Sequence, residues 1–135
     1  AQGDDHPAKI VFGHLPLWPF AQGREDEVIG DSALEELLVL HGVDLFVSGH
    51  HHAYYPGRRG DLRLAGTACL GAGPRALIGV DATSATALLT FELDASGEIT
   101  GLDAWPSPDF AAPIDRASLP PSIEHAGVVV ARDDG

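Results

Sequence analysis

Histidines follow short apolar runs at two places in the chain, and histidines at such places can bind metal ions. His14 comes after a run at 10–12 and a glycine, and the triple histidine 50–52 comes after a second run and another glycine. Neutral imidazole is a good ligand for zinc, iron, manganese, nickel or copper. A single histidine after a strand is usually a hydrogen-bonded surface or core residue. The two places taken together favour a metal site.

The elements between these histidines predict that they meet. Residues 9–12 and 43–48 are predicted to form short buried strands, joined by a loop and a helix. The helix is predicted to begin at Ser32, whose spacing to Glu35 is that of a capping box, and to end at Gly42. A β–α–β crossover of this kind joins parallel neighbouring strands. Both strands then end at the same sheet edge, where open α/β sheets place their ligands.

Local geometry predicts the directions of the four side chains. His14 and His50 are expected to be neighbours in space, since each follows one of the two parallel strands. His50 and His52 lie two residues apart, so in an extended loop they point the same way and His51 points elsewhere.

The composition excludes some partners. The net charge is −12 and Lys9 is the only lysine, which argues against nucleic acid, because phosphate backbones are bound chiefly by clustered Lys and Arg. No apolar run approaches the roughly 20 residues of a membrane-spanning helix, so no membrane partner is expected. The lone Cys69 excludes a disulfide within the chain. The chain contains no methionine, so Ala1 is not a translational start and we expect a processed product or a fragment.

The second half changes character. Turn signals at 56–57 and 60–61 precede segments with the pattern of strands, and 86–93 is predicted to form a hairpin with 99–105. A mostly antiparallel sheet is therefore expected, with its strands at 62–67, 76–80, 85–93 and 99–105. We divide the chain into a domain at 1–105 and a Pro/Asp-rich irregular tail at 106–135, in which 127–131 is either an edge strand or disordered.

Two motifs in this frame resemble those of a known family. Gly-His-Leu-Pro at 13–16 and Gly-His-His-His-Ala-Tyr at 49–54 are similar to the last two signatures of the calcineurin-like metallophosphoesterases, especially the purple acid phosphatase-like branch. The resemblance covers about 10–55. It implies an α/β fold, namely the C-terminal half of an α/β/β/α sandwich. That half would hold one βαβ unit followed by a mostly antiparallel sheet.

The resemblance also implies a cofactor and an activity. His14 and His50 correspond to ligands of one ion of a two-metal centre and His52 to a ligand of the other, while His51 occupies a variable position. The ions would be divalent or trivalent iron, manganese or zinc. The implied reaction is hydrolysis of a small-molecule phosphoester, as a phosphatase or phosphodiesterase. Two close metals clamp the phosphate and lower the pKa of a bound water.

The chain departs from the family in its upstream motifs. Gly-Asp-x-x-Asp and Gly-Asn-His-Asp/Glu do not occur, and the similar letters at 3–6, which include an Asp-x-His at 4–6, have no preceding strand pattern. We therefore expect the missing N-terminal half of the domain as a partner and an inactive chain without it. The alternative is a non-catalytic, degenerate binding module, while a nuclease of the same family is disfavoured by the acidic charge. Members of this branch are often exported, so a periplasmic or extracellular location is one option.

Further residues are candidates for contacts with the substrate. Tyr54 follows the histidines and either walls the pocket or packs in the core. Arg58 either binds a phosphate oxygen bidentately or is a solvated surface residue. Trp18 either lines a cleft or covers the core. The segment 71–75 either brings backbone close to the site or forms a plain turn.

Overall fold

Strands make up most of the regular structure in the computed structural model, which describes residues 3, 5–71 and 73–134. The fold is mixed α/β, mostly sheet with few helices. No helix of the described part has the length and apolar character needed to cross a membrane. Its elements are β1 (Ile10–Gly13), α1 (Ser32–Leu40), β2 (Leu45–Ser48), β3 (Tyr55–Arg59), β4 (Leu62–Gly66), β5 (Ala87–Leu93), β6 (Ile99–Pro106), a short 3₁₀ turn (Arg116–Ser118), β7 (Ser122–His125) and β8 (Val128–Arg132).

Six of the strands form one sheet, in the order β1-β2-β4-β3-β8-β7. β1 pairs with β2 in parallel, and β2 pairs with β4 in parallel, so these three strands end at the same edge. The predicted parallel βαβ unit is confirmed. The other pairs of this sheet are antiparallel. β5 and β6 form a separate antiparallel hairpin, as the sequence predicts.

Alternating side chains of β2 bury apolar area on both faces of the sheet. Phe46 packs in one cluster with Leu38 of α1 and Leu17 of the loop that follows β1. Val47, on the opposite face, packs in a second cluster with Leu102 of β6. A strand covered on both faces reads as a continuous apolar run, and this removal of apolar area from water stabilises the layers. The complete α/β/β/α sandwich stays a prediction.

The helix begins with a different cap from the predicted one. Asp31 is the N-cap, and its Oδ1 accepts hydrogen bonds from the backbone N of Ala33 at 2.9 Å and of Leu34 at 3.3 Å. The predicted capping box is therefore wrong by one residue, because Asp31 offers its carboxylate to the first free amides. Gly42 lies just beyond the helix with a φ of 66°, which fits the predicted helix end.

Pro56 and Gly57, interpreted above as a turn signal, lie instead within β3, in the interior of the sheet. A Cβ at Gly57 would lie 2.5 Å from a methyl group of Val130 and 3.0 Å from the carbonyl oxygen of Leu64. Glycine is therefore required here by close packing against neighbouring strands rather than by a turn.

The segment 76–80 is not a strand. It forms only isolated bridges, which pair Leu77 with Ala21 and Ala76 with Thr83. Leu77 is nevertheless buried in the core. The apolar run therefore reports burial, and a short apolar run alone does not distinguish a strand from a buried loop.

The structure also differs from the irregular tail expected after residue 105. β7 and β8 form a hairpin, and β8 lies inside the sheet between β3 and β7 instead of at its edge. Ile123 and Val130 are both buried in the main core. β8 pairs with the distant strand β3, and both β7 and β8 pack in a core built by distant residues. A local pattern does not reveal these contacts. The division into a domain and a tail stays a prediction.

Candidate metal centre

The carboxyl ends of β1 and β2 bring His14 and His50 into contact. His14 Nε2 lies 3.1 Å from His50 Nδ1, and the ring centroids are 4.9 Å apart. Both side chains are at least partly exposed. The structure thus brings these two predicted residues together, while their role as metal ligands stays a prediction.

The backbone of the triple histidine is not extended as expected. His50 has a φ of 64° and His52 a φ of 54°, which is the left-handed region. Residues other than glycine adopt this conformation rarely, and such backbone strain clusters at functional sites. His52 does not join the pair: its Nδ1 lies 3.1 Å from the carbonyl oxygen of Gly73. The prediction that His50 and His52 lie in an extended loop is therefore wrong.

Glu27 is a site residue that the sequence did not reveal. Its Oε1 lies 2.8 Å from His50 Nε2, on the side of the ring opposite His14. The hydrogen bond with His50 lowers the pKa of Glu27, and the charge of Arg24 also acts to lower it. The ionised carboxylate only accepts, so His50 Nε2 donates. In neutral His50, Nδ1 then carries no proton and accepts from His14 Nε2.

His51 points away from this pair into the core, with 1 % of its surface exposed. Its Nδ1 accepts from the backbone N of Ala21 at 3.1 Å and of Phe20 at 3.3 Å, and its Nε2 donates to the carbonyl oxygen of Glu27 at 3.0 Å. Burial lowers the pKa of His51, which favours the neutral ring that this pattern requires. His51 thus fixes the loop after β1 to the end of β2.

Arg75 is a second site residue, and the sequence singles out its segment 71–75 for a close backbone but does not predict the contact of its side chain. Its Nη1 donates to the carbonyl oxygen of His50 at 2.7 Å, and its backbone N donates to that of His52 at 3.1 Å. The segment 71–75 therefore brings backbone close to the histidines, although Ala72 lies outside the described residues. The signal in the sequence was the position of the segment 71–75 after the strand predicted at 62–67, because β4 ends at the same sheet edge as β1 and β2.

Tyr54 does not line an open pocket. Its ring is 1 % exposed and packs with Ala87 of β5 and Ala104 of β6. Burial raises the pKa of Tyr54 to about 12. A ring buried in this way has no surface to offer a substrate, which corrects the predicted substrate contact.

Arg58 lies away from the histidines. In β3, Tyr55 is paired with Gly66 at the edge where β4 ends, and Arg58 is three residues farther along the strand, about 10 Å away. Its Nε binds Oδ1 of buried Asp133 at 3.1 Å. The structure therefore places Arg58 in an ion pair with a buried carboxylate and not beside the candidate site. Trp18, which the sequence placed either in a cleft or over the core, is buried in the core.

A comparison with known protein families matches the region that contains these histidines. A family model described as calcineurin-like phosphoesterase matches residues 2–54, a segment that contains His14 and the triple histidine. No curated protein matches the chain. The matched segment is thus similar to a family of metal-dependent phosphoesterases.

The donor atoms present fit part of a metal site. Two nitrogen ligands on one tetrahedral ion, each about 2.0–2.1 Å from it, lie about 3.3 Å apart, close to the 3.1 Å between His14 Nε2 and His50 Nδ1. Among the residues that the structure describes, however, no group of three or more His, Cys, Asp or Glu side chains could hold an ion. The described residues thus offer two adjacent donors, fewer than the usual four ligands.

Proposed function

We propose that this chain is the C-terminal half of a metallophosphoesterase domain of the purple acid phosphatase-like branch, acting as a metal-dependent phosphoester hydrolase. In this proposal His14 and His50 bind one ion of a two-metal centre and His52 binds the other. The observation that carries it is the 3.1 Å approach of His14 Nε2 to His50 Nδ1 at the ends of two parallel strands. This pair lies within the segment that matches the family model.

The remaining ligands would come from the N-terminal half of the domain. The chain lacks the Gly-Asp-x-x-Asp and Gly-Asn-His-Asp/Glu motifs, and no strand pattern precedes its Asp-x-His letters at 4–6. Histidines alone leave the charge of the ions uncompensated. When bound, two ions of iron, manganese or zinc supply a nucleophile from water and neutralise charge on the phosphate. Without that half, we expect the chain to be inactive.

The proposed substrate is a small phosphoester, and Arg75 is the residue of this chain best placed to meet it. One guanidinium nitrogen binds the carbonyl oxygen of His50, and the other N–H groups of an arginine suit phosphate oxygens. A local positive charge matters because the chain as a whole carries −12. The same net charge argues against nucleic acid as the substrate. The proposal includes an extracytoplasmic location, because members of the branch that the motifs resemble are often exported.

A second candidate function is a non-catalytic binding module. It is favoured by the lack of a three-donor group among the described residues and by the direct contact between His14 and His50, which satisfies both nitrogens without an ion. The natural sequence upstream of Ala1 discriminates between the two functions. Acidic and Asn-His motifs there support the hydrolase, and their absence supports the binding module.

The test is metal content and hydrolysis of 4-nitrophenyl phosphate and its bis-ester by the protein at its full encoded length. We expect bound metal and hydrolysis of at least one ester. His14→Ala and His50→Ala should each lose metal and activity, whereas His6→Ala, a change of an exposed histidine outside the site, should retain both. A protein that binds no metal and hydrolyses neither ester would refute the hydrolase.

A further inference from the structure

We propose that Glu27 is a positioning residue, which holds His50 in the tautomer whose bare Nδ1 faces His14, and that His51 sets the place of Glu27. The part of this inference that concerns metal affinity rests on the proposed function. The part that concerns the tautomer of His50 does not.

The side chain of Glu27 determines which nitrogen of His50 carries the proton. Its carboxylate lies 2.8 Å from His50 Nε2 and therefore keeps a proton on that nitrogen. Neutral imidazole has one N–H, so Nδ1 is left as an acceptor. Nδ1 is the nitrogen that lies 3.1 Å from His14 Nε2. Glu27 thus fixes both the ring orientation and the lone pair that points toward the place between the two histidines.

The backbone of Glu27 is held by the neighbouring histidine. His51 Nε2 donates to the carbonyl oxygen of Glu27 at 3.0 Å, while His51 Nδ1 accepts from the amides of Phe20 and Ala21. Both nitrogens of His51 are thereby used inside the fold. Glu27, in the loop after β1, is therefore bound at its carbonyl by His51 and at its carboxylate by His50, so the loop cannot shift there without breaking one of these hydrogen bonds.

The contact with Glu27 is expected to strengthen the binding of a metal ion by His50. Histidines that bind metal almost always donate their other N–H to a carboxylate, a carbonyl or water, which fixes the tautomer and raises the basicity of the ligating nitrogen. Removal of such a partner typically costs about 10- to 100-fold in metal affinity. Glu27 and His50 have this relationship, although they are 23 residues apart in sequence.

The first experiment needs no metal. ¹⁵N NMR of the histidine rings in the metal-free, full-length protein should show His50 with its proton on Nε2 in the wild type and in Glu27→Gln, whose amide oxygen still accepts. Glu27→Ala should give a mixture of tautomers. Arg24→Gln is the matched control, because it removes the 3.2 Å ion pair with Glu27 and leaves the contact with His50. A His50 tautomer that is unchanged in Glu27→Ala would overturn the proposal.

The second experiment measures affinity for Zn²⁺ by competition with a chromophoric chelator. Glu27→Ala should bind about tenfold more weakly or worse, Glu27→Gln should fall between it and the wild type, and Arg24→Gln should stay within about twofold. Equal affinities of Glu27→Ala and wild type would overturn the role toward metal. A wild type that binds no Zn²⁺ would instead count against the proposed function, while the tautomer measurement would still decide the role of Glu27.

The role of His51 has its own measurement in the wild-type protein. Its ring proton should sit on Nε2, exchange slowly with water, and show a coupling through the hydrogen bond to the carbonyl carbon of Glu27. A His51 ring proton on Nδ1, or one that exchanges as fast as that of an exposed histidine, would refute the role of His51 in holding Glu27.

Discussion

Glu35 of α1 binds Arg59 of β3 through two hydrogen bonds, from Nε to Oε2 at 2.7 Å and from Nη2 to Oε1 at 3.1 Å. The indole N–H of Trp18 donates to the same carboxylate at 2.5 Å, and the guanidinium lies 5.3 Å from the centroid of the Trp18 ring. Arg59 also donates to the carbonyl oxygen of Val129 in β8. This cluster joins the helix, the loop after β1 and two strands on one face of the sheet.

Glu35→Gln should lower the free energy of unfolding by about 1–3 kcal/mol, the usual loss for hydrogen bonds to charged groups. The carboxylate is only 17 % exposed, so water replaces its partners poorly. Urea unfolding measures the change. Glu36→Gln alters the adjacent exposed carboxylate and should stay within about 0.5 kcal/mol of the wild type. Equal stabilities of the two variants would show that the cluster does not stabilise the fold.

Acid should remove the contribution of the Glu35 carboxylate to the free energy of unfolding. Burial by itself would raise the pKa of Glu35, but the hydrogen bonds from Arg59 and Trp18 outweigh burial and lower the pKa below the ordinary 4.5. A carboxyl group whose pKa is lower in the folded than in the unfolded state contributes its full stabilisation at a pH above the unfolded-state pKa. This stabilisation is lost as the pH falls through the folded-state pKa. The difference in unfolding free energy between wild type and Glu35→Gln should therefore shrink below pH 4.5. A difference that grows on acidification would contradict this sign.

Gly57→Ala should destabilise the protein by about 1–3 kcal/mol, because the added methyl group overpacks a filled space. Its Cβ would lie 2.5 Å from Val130 and 3.0 Å from the carbonyl oxygen of Leu64. Gly71→Ala is the control, since a Cβ there meets nothing within 4 Å. Thermal unfolding compares the two. If Gly57→Ala melts no lower than Gly71→Ala, β8 does not pack against β3 as described.

Two adjacent tyrosines should respond oppositely to loss of the hydroxyl group. Within the described residues Tyr54 Oη is buried without a hydrogen-bond partner, whereas Tyr55 Oη donates to the carbonyl oxygen of Pro120 at 2.8 Å. Tyr54→Phe should be neutral or stabilising, since it removes an unpaired polar atom. Tyr55→Phe should cost about 0.5–1.5 kcal/mol. Denaturant unfolding of both variants tests the contrast, which would be refuted by a larger loss in Tyr54→Phe.

Under the proposed phosphoester hydrolysis, Arg75 and Arg58 should differ in the kinetics of the full-length protein. If Arg75 binds the phosphoester, Arg75→Ala should raise KM about tenfold or more through loss of a charge-assisted hydrogen bond. Arg58→Ala should leave KM unchanged and lower stability, because Arg58 pairs with buried Asp133. Steady-state kinetics with 4-nitrophenyl phosphate, together with urea unfolding, separate the two roles. A higher KM in Arg58→Ala alone would reverse the assignment.

The part of this site that sequence predicts is the part encoded locally. A buried strand, a helix ending at Gly42 and a second buried strand define a crossover, and the handedness and parallel pairing of such units bring His14 and His50 to one edge. The β5–β6 hairpin is equally local, since its two strands are joined by a short turn. In both cases neighbouring residues suffice to determine the geometry.

Contacts between distant residues decided the rest. Glu27 lies in a charged, exposed loop, where its carboxylate contacts His50 and its carbonyl oxygen contacts His51, both more than 20 residues away in sequence. Gly57 looks like a turn residue until Val130 packs against it. Histidine types and spacing therefore determined which residues could bind metal, whereas tertiary structure decided which of them touch. The physical reason is that hydrogen bonds and packing across many residues leave no periodic pattern in the chain.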